Sequence, residues 1–157
     1  MKALCEKVLQ ALQGKTLVTA ESCTGGGIGA ALTAVSGSSA VFKGGIICYQ
    51  NDVKEHILQV DKELLDTQGA VSTPVAEQMA IGARNALQAD IAVSVTGLAG
   101  PGGDEFGHSV GTVFIGYADE NGGSVRQFCF SGSREDVRRL AIMNALQMII
   151  DMQTDRV

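Results

Sequence analysis

One passage near the N-terminus constrains this chain most: a strand that meets a helix through a tight, glycine-filled turn. The β-rich run at 16–20 (TLVTA) leads into Glu21-Ser22-Cys23-Thr24, then three consecutive glycines, then small apolar residues over 28–35 that read as a helix. A strand joined this closely to a helix lays that helix on the face of its own sheet, the arrangement of α/β layers. The alternation extends along the chain. Residues 2–13 place Leu4, Val8 and Leu12 on one helical face and stop at Gly14. Residues 45–49 (GIICY) predict a second, buried strand; 51–59 predict a helix opened by an Asn-Asp cap signal, and 61–68 a further short helix. Ser72-Thr73-Pro74 opens a long helix to about residue 88, with proline near the first helical position, where its missing N–H costs nothing. Residues 91–95 (IAVSV) read as a third strand, followed by a glycine- and proline-rich loop over 97–107. Runs at 110–118 and 124–130 flank Asn121-Gly122-Gly123, a hairpin signal. A last helix over 133–152 carries Val137, Leu140, Ala141, Ala145, Met148, Ile149 and Met152 on one stripe. The expectation is α/β: a single three-layer α/β/α domain, residues 1–157, on a mixed, mostly parallel sheet with a C-terminal hairpin and final helix.

Composition narrows the function classes. Acidic residues outnumber basic ones by 17 to 12, so the net charge is −5, which argues against nucleic-acid binding through a general positive field. No run approaches the roughly 18 apolar residues of a membrane span, and residues 1–15 carry Glu6 and no continuous apolar stretch, so they predict no secretory leader. Cys5, Cys23, Cys48 and Cys129 form no C-x-x-C pair, and the histidines are only His56 and His108, so no zinc site is expected. The thiols read as reduced, in a cytoplasmic protein, with Cys48 and Cys129 buried among small apolar neighbours.

The glycine turn admits several readings. Gly25-Gly26-Gly27-Ile28-Gly29-Ala30 matches G-x-G-x-x-G/A between a strand and a helix, the setting of a dinucleotide fingerprint. No acidic residue follows about 20 positions later, where the chain reads Phe42-Lys43-Gly44-Gly45-Ile46. Glycines that merely allow close helix packing account for Gly27 and Gly29, and Ser22 or Thr24 could be a plain N-cap. Alternatively, a nucleophile held at the sheet's carboxyl edge would have free helix amides beside it for a phosphate or an oxyanion.

Six stretches then agree with one family. Thr19-Ala20-Glu21-Ser22-Cys23-Thr24-Gly25-Gly26 resembles the signature of the C-terminal domain of competence/damage-inducible protein A, the CinA-like family. Gly37-Ser38-Ser39 with Gly44-Gly45, Tyr49-Gln50-Asn51-Asp52-Val53-Lys54, Gly69-Ala70-Val71-Ser72, Thr96-Gly97-Leu98-Ala99-Gly100-Pro101-Gly102-Gly103, and Val110-Gly111-Thr112-Val113 with Phe130-Ser131-Gly132-Ser133-Arg134 follow in order, across about residues 2–150. Stand-alone members are nicotinamide-nucleotide amidohydrolases. The resemblance therefore implies hydrolysis of the carboxamide of nicotinamide mononucleotide to nicotinate mononucleotide and ammonia, without cofactor or metal, by a cytoplasmic, commonly dimeric protein with no membrane or nucleic-acid partner. The family pattern makes Ser22 the nucleophile and Lys54 its base, with Tyr49 beside them. It sets Thr96 at the head of the T-G-L-A-G-P stretch, and Arg134 and Arg138 after the F-S-G turn. One departure stands out: His108-Ser109 replaces the Lys-Pro that often precedes Val-Gly-Thr-Val.

These residues suit amide hydrolysis. A serine hydroxyl needs an adjacent base, and with neither histidine in a motif, lysine is the candidate. Its ordinary pKa near ~10.4 must then fall, through burial or through the positive end of the helix that Lys54 begins. Read without the family, Lys54 is a solvated helix lysine. Cys23 is the competing nucleophile, although consecutive residues in a turn point in different directions. For the phosphate, the expected cradle comprises Thr24, Gly25 and Gly26 at the turn, Thr96, Gly97, Gly100 and Gly102 in the loop, and Arg134 or Arg138. Either arginine could instead lie on an exposed face paired with Glu135 or Asp136.

Overall fold

Four of the five strands run in one direction, and the fourth in sequence opposes them. The computed structural model describes residues 1–155. Its strands are β1 (Leu17–Glu21), β2 (Phe42–Ile47), β3 (Ile91–Gly97), β4 (Thr112–Asp119) and β5 (Gly122–Cys129), ordered β2-β1-β3-β4-β5. β1 pairs in parallel with both β2 and β3, while β3–β4 and β4–β5 are antiparallel. The helices are α1 (Lys2–Ala11), α2 (Gly27–Thr33), α3 (Asn51–His56), α4 (Lys62–Gln68), α5 (Thr73–Leu87) and α6 (Arg134–Thr154). This is the mixed α/β architecture expected from the sequence. No helix among the described residues is long and apolar enough to cross a membrane.

Period-two alternation sorts the core into two layers. Leu17 of β1 joins Cys5, Val8, Ile28, Leu32, Val137, Ala141 and Ile149, so α1, α2 and α6 cover one face. Val18 and Ala20 join Leu58, Leu65, Val75, Met79 and Ala83, so α5 and its neighbours cover the other. Gly116 lets α5 approach β4, because a Cβ there would strike the Ala76 carbonyl. Ser94 Oγ donates to that same carbonyl at 2.6 Å. α6 begins with a capping box, Ser133 and Asp136 bonding each other's backbone N–H, worth about 1 kcal/mol.

The connection from β1 passes through α2 to β2 on one side, and the chain then returns past β1 through α5 to β3. The crevice between the carboxyl ends of β1 and β3 is therefore the topological switch point, where open α/β sheets bind ligands.

Several local expectations are corrected. β2 starts earlier than residue 45 and is an edge strand with alternating exposure, not a buried one. Tyr49 lies beyond its end and is 60% exposed. The third helix stops at His56, and Gln59 turns at φ +60°. Its N-cap is Gln50, not the Asn-Asp pair; Asp52 Oδ1 instead accepts from the Val53 N–H. A 3₁₀ turn, Ser38–Ala40, had no sequence signal. The hairpin turns at Glu120 and Asn121, one residue before the Asn-Gly pair; Asp119 Oδ1 accepts from the Asn121 N–H at 2.8 Å and Gly122 takes the positive φ. Cys48 is buried as expected, but Cys129 is exposed on the outer strand β5.

Candidate active site

Ser22 is the first residue past β1, and its N–H donates to the Val95 carbonyl of β3 at 2.9 Å, which pins it to the sheet edge. Thirty-two positions later, Lys54 approaches from the other side of β1. The Cys48 N–H donates to the Glu21 carbonyl at 2.9 Å, extending the β1–β2 ladder and bringing α3 alongside. Lys54 is 1% exposed, and its side chain leans back toward the helix N-terminus, as helical side chains do. Its Nζ sits 3.0 Å from Ser22 Oγ, 2.7 Å from the Cys48 carbonyl and 3.2 Å from the Tyr49 carbonyl.

Burial pushes the Lys54 pKa below the ordinary lysine value, against a smaller upward pull from the Cys48 and Cys23 thiols. Lys54 is the fourth residue of the six-residue α3, so it lies in the helix's first turn. Nζ donates to all three oxygens; a neutral amine that kept its two carbonyl partners would turn its lone pair to the serine hydroxyl.

A cavity of about 240 Å³ opens here, at the switch point. Ser22, Cys23, Tyr49, Asn51 and Lys54 form one wall; Thr96, Gly97, Leu98, Ala99, Gly100 and Gly102 form the opposite one. Ala70 and Val71 close one end, with Thr96 Oγ1 donating to the Ala70 carbonyl at 2.8 Å. Arg134, from the start of α6, spans the rim: Nη1 donates to the Gly100 carbonyl at 2.7 Å and Nη2 to the Tyr49 hydroxyl at 3.2 Å.

The structure thus brings Ser22, Lys54, Tyr49, Thr96, Gly97, Gly100, Gly102 and Arg134 around one space, and leaves Thr24, Gly25, Gly26 and Arg138 outside its lining. Thr24 is fully buried, and its hydroxyl donates to Glu21 at 2.8 Å. Gly25 faces Arg138, and Gly26 faces the side chain of Ile47. Of the amides near residues 25–27, the Gly25 and Gly27 N–H groups donate to the Ser22 and Thr24 carbonyls, and just beyond them the Ile28 and Gly29 N–H groups donate to the Glu21 carboxylate at 2.8 and 3.1 Å. An internal carboxylate fills the anion cradle at this turn. With Thr24, Gly25 and Gly26 outside the cavity lining, this argues against a phosphate at the turn and against the dinucleotide reading, whose pyrophosphate needs amides at this helix start. Arg138 bonds backbone instead, donating to the Cys23 and Thr24 carbonyls.

Asn51, Leu98 and the Ala70-Val71 end escaped sequence reasoning as site residues. Asn51 was findable, being one helical turn before Lys54; the apolar positions carry no chemical signal. Burial pushes the Cys23 thiol up to about 11, so it holds its proton at neutral pH and is a poor nucleophile there. His108 pairs with Asp104 at 2.7 Å within the loop and packs edge-on to Phe114 of β4, tethering the loop to the sheet. Among the described residues no group of three or more His, Cys, Asp or Glu could hold a metal ion.

Fold and site together define an α/β protein that presents a serine hydroxyl and a buried lysine to one cavity at the carboxyl edge of its sheet. The chain belongs to the CinA C-terminal domain family, whose model matches residues 1–153. It is 48% identical over 149 residues to the nicotinamide-nucleotide amidohydrolase PncC of Escherichia coli K12, covering 93% of this chain and 90% of that protein. A CinA-like protein of Thermosynechococcus vestitus is 49% identical over 146 residues, 91% of this chain but 35% of the relative, so the chain spans about a third of that longer protein. Among solved structures, a CinA superfamily protein of Klebsiella pneumoniae superposes with a TM-score of 0.95 at 33% identity, covering 98% of each chain.

Proposed function

We propose that this chain hydrolyses the carboxamide of nicotinamide mononucleotide, giving nicotinate mononucleotide and ammonia for pyridine-nucleotide recycling. Ser22 acts as nucleophile and Lys54 as its base. The observation that carries the mechanism is the 3.0 Å contact between Ser22 Oγ and a lysine nitrogen whose other partners are two carbonyls. The substrate class rests on the relatedness to PncC over nine-tenths of both chains.

Lys54 takes the hydroxyl proton as Ser22 Oγ attacks the amide carbon. The resulting ammonium returns that proton to the departing nitrogen, which leaves as ammonia. Water, deprotonated by the same amine, then cleaves the ester on Ser22 and releases the acid. The Cys23 N–H, on the cavity wall and with no backbone carbonyl partner among the described residues, serves the oxyanion.

Ala70, Val71, Leu98 and Ala99 suit the pyridine ring, and Arg134 suits the phosphate. A guanidinium has five N–H donors; two are engaged by Gly100 and Tyr49, leaving three. Charge-assisted bonds of this kind are worth about 1.5–3 kcal/mol. Arg134→Met is therefore expected to raise KM by roughly tenfold or more, with a smaller fall in kcat; steady-state kinetics check it, and an unchanged KM would move the phosphate elsewhere. The exposed Ile47, Tyr49 and Ile57 support the homodimer carried by the resemblance; the cytoplasmic setting rests on the resemblance alone. Mass spectrometry of nicotinamide mononucleotide incubated with the purified chain tests the activity. Conversion to the acid supports it, and an untouched substrate beside turnover of another amide would replace the substrate.

A further inference from the structure

The turn that carries Ser22 faces opposing demands. Gly25 and Gly26 sit at φ +58° and +96°, and with Gly27 they give the turn three consecutive residues of high intrinsic backbone freedom. Yet Ser22 Oγ stands 3.0 Å from Lys54 Nζ, and misplacing a reacting group by about 1 Å costs on the order of 10²-fold in rate. Something outside the turn's own backbone has to hold it.

Two charged side chains grip it, one from the end of β1 and one from α6. Glu21, 2% exposed, points to the α2 side of β1. One carboxylate oxygen accepts from Thr24 Oγ1 and the Ile28 N–H, both at 2.8 Å; the other accepts from the Gly29 N–H at 3.1 Å and Thr19 Oγ1 at 3.2 Å. From α6, the half-buried Arg138 donates from Nε to the Cys23 carbonyl at 3.0 Å and from Nη2 to the Thr24 carbonyl at 3.2 Å. The anion takes the N–H side of the turn and the cation takes its carbonyls. Thr24 is held by both, through its hydroxyl and its carbonyl. Neither charged side chain lines the cavity.

We propose that Glu21 and Arg138 are positioning residues that clamp the glycine-rich turn between them and so fix Ser22 Oγ against Lys54, without touching substrate. The inference rests on the reading of Ser22 as nucleophile. Charge and shape both matter to it. Glu21→Gln turns an NH₂ group toward donors that need an acceptor, Arg138→Met removes both carbonyl contacts, and Arg138→Lys can restore one of them.

The test compares these three variants of the full chain with wild type by kcat and KM on nicotinamide mononucleotide, by the rate at which a fluorophosphonate probe labels Ser22, and by melting temperature. Glu21→Gln and Arg138→Met are expected to lower kcat and the labelling rate together by about tenfold or more, with KM within about threefold. Arg138→Lys is expected to recover part of the loss. Folded variants that keep wild-type kcat and labelling, or whose defect lies in KM alone, overturn the clamp, as does a wild-type chain whose Ser22 is not labelled. Should Glu21→Gln fail to fold, the two Arg138 variants decide. If wild type leaves nicotinamide mononucleotide intact, the substrate reading fails while the labelling rates still judge the clamp.

Discussion

Ser22→Ala is expected to abolish ammonia release, by about 10⁴-fold or more, the scale on which losing a covalent nucleophile is felt. The protein should stay folded. The hydroxyl makes one side-chain contact, to Lys54 Nζ, and that nitrogen keeps its two carbonyl partners. The Ser22 N–H bond to Val95 belongs to the backbone and survives the substitution. Cys23 supplies the matched control. Cys23 also lines the cavity, but it packs into the core and burial holds its thiol protonated, so Cys23→Ala should retain most turnover. Ammonia assays on the two variants check the pair, and the opposite pattern would give the nucleophile's role to cysteine.

Lys54→Arg is expected to lower turnover by roughly 10²-fold or more, the usual scale of lost general-base catalysis. Arginine keeps the charge and approximately the reach but stays protonated throughout the working pH range. In wild type, burial depresses the Lys54 pKa below 10.5. The active form is the neutral amine, so the rate should rise with pH along a limb whose midpoint lies below that value. Stability has the same sign. Between the folded pKa and 10.5 the unfolded chain binds the extra proton, so stability grows with pH across that window; below the folded pKa the cost of holding a buried ammonium is incurred in full. Lys54→Arg should remove both dependences. A variant within a few fold of wild type would reduce Lys54 to an electrostatic part and send the search for the base to Tyr49 or a water.

How legible the site was depended on how local its causes are. The β1 turn was readable, because a β-rich run, a polar tetrad and three glycines occur in immediate succession. Lys54 was not readable from its surroundings, since a lone lysine among Asp52, Glu55 and His56 looks solvated. What buries it is the parallel register that sets Glu21 opposite Ile47, and only the family motif pointed there. β2 misled because its middle residues are Gly44 and Gly45, so alternation carried by backbone position never reached the hydropathy pattern. Arg134 and Arg138 could not be separated by sequence at all. They lie one helical turn apart on α6, and that displacement sends one to the cavity rim and the other to the turn's carbonyls. The fate of the α2 amides turned on where one glutamate side chain folds back, which no periodicity encodes.

The strand order has a kinetic consequence. β4 and β5 meet across a two-residue turn, whereas β1 meets β3 through Leu17 and Ile91, 91 − 17 = 74 positions apart. Closing so long a segment is entropically slow, and ladders of high sequence separation form late. The hairpin and α6 have only local costs, but the edge that carries Ser22 and Thr96 exists only once β1 has inserted between β2 and β3. During refolding from denaturant, helical circular dichroism should therefore recover ahead of ammonia-releasing activity, and activity should return only with the slowest phase. The chemistry of this chain is then a reporter of its last assembly step, and a partly folded population would carry native-like secondary structure while remaining catalytically silent.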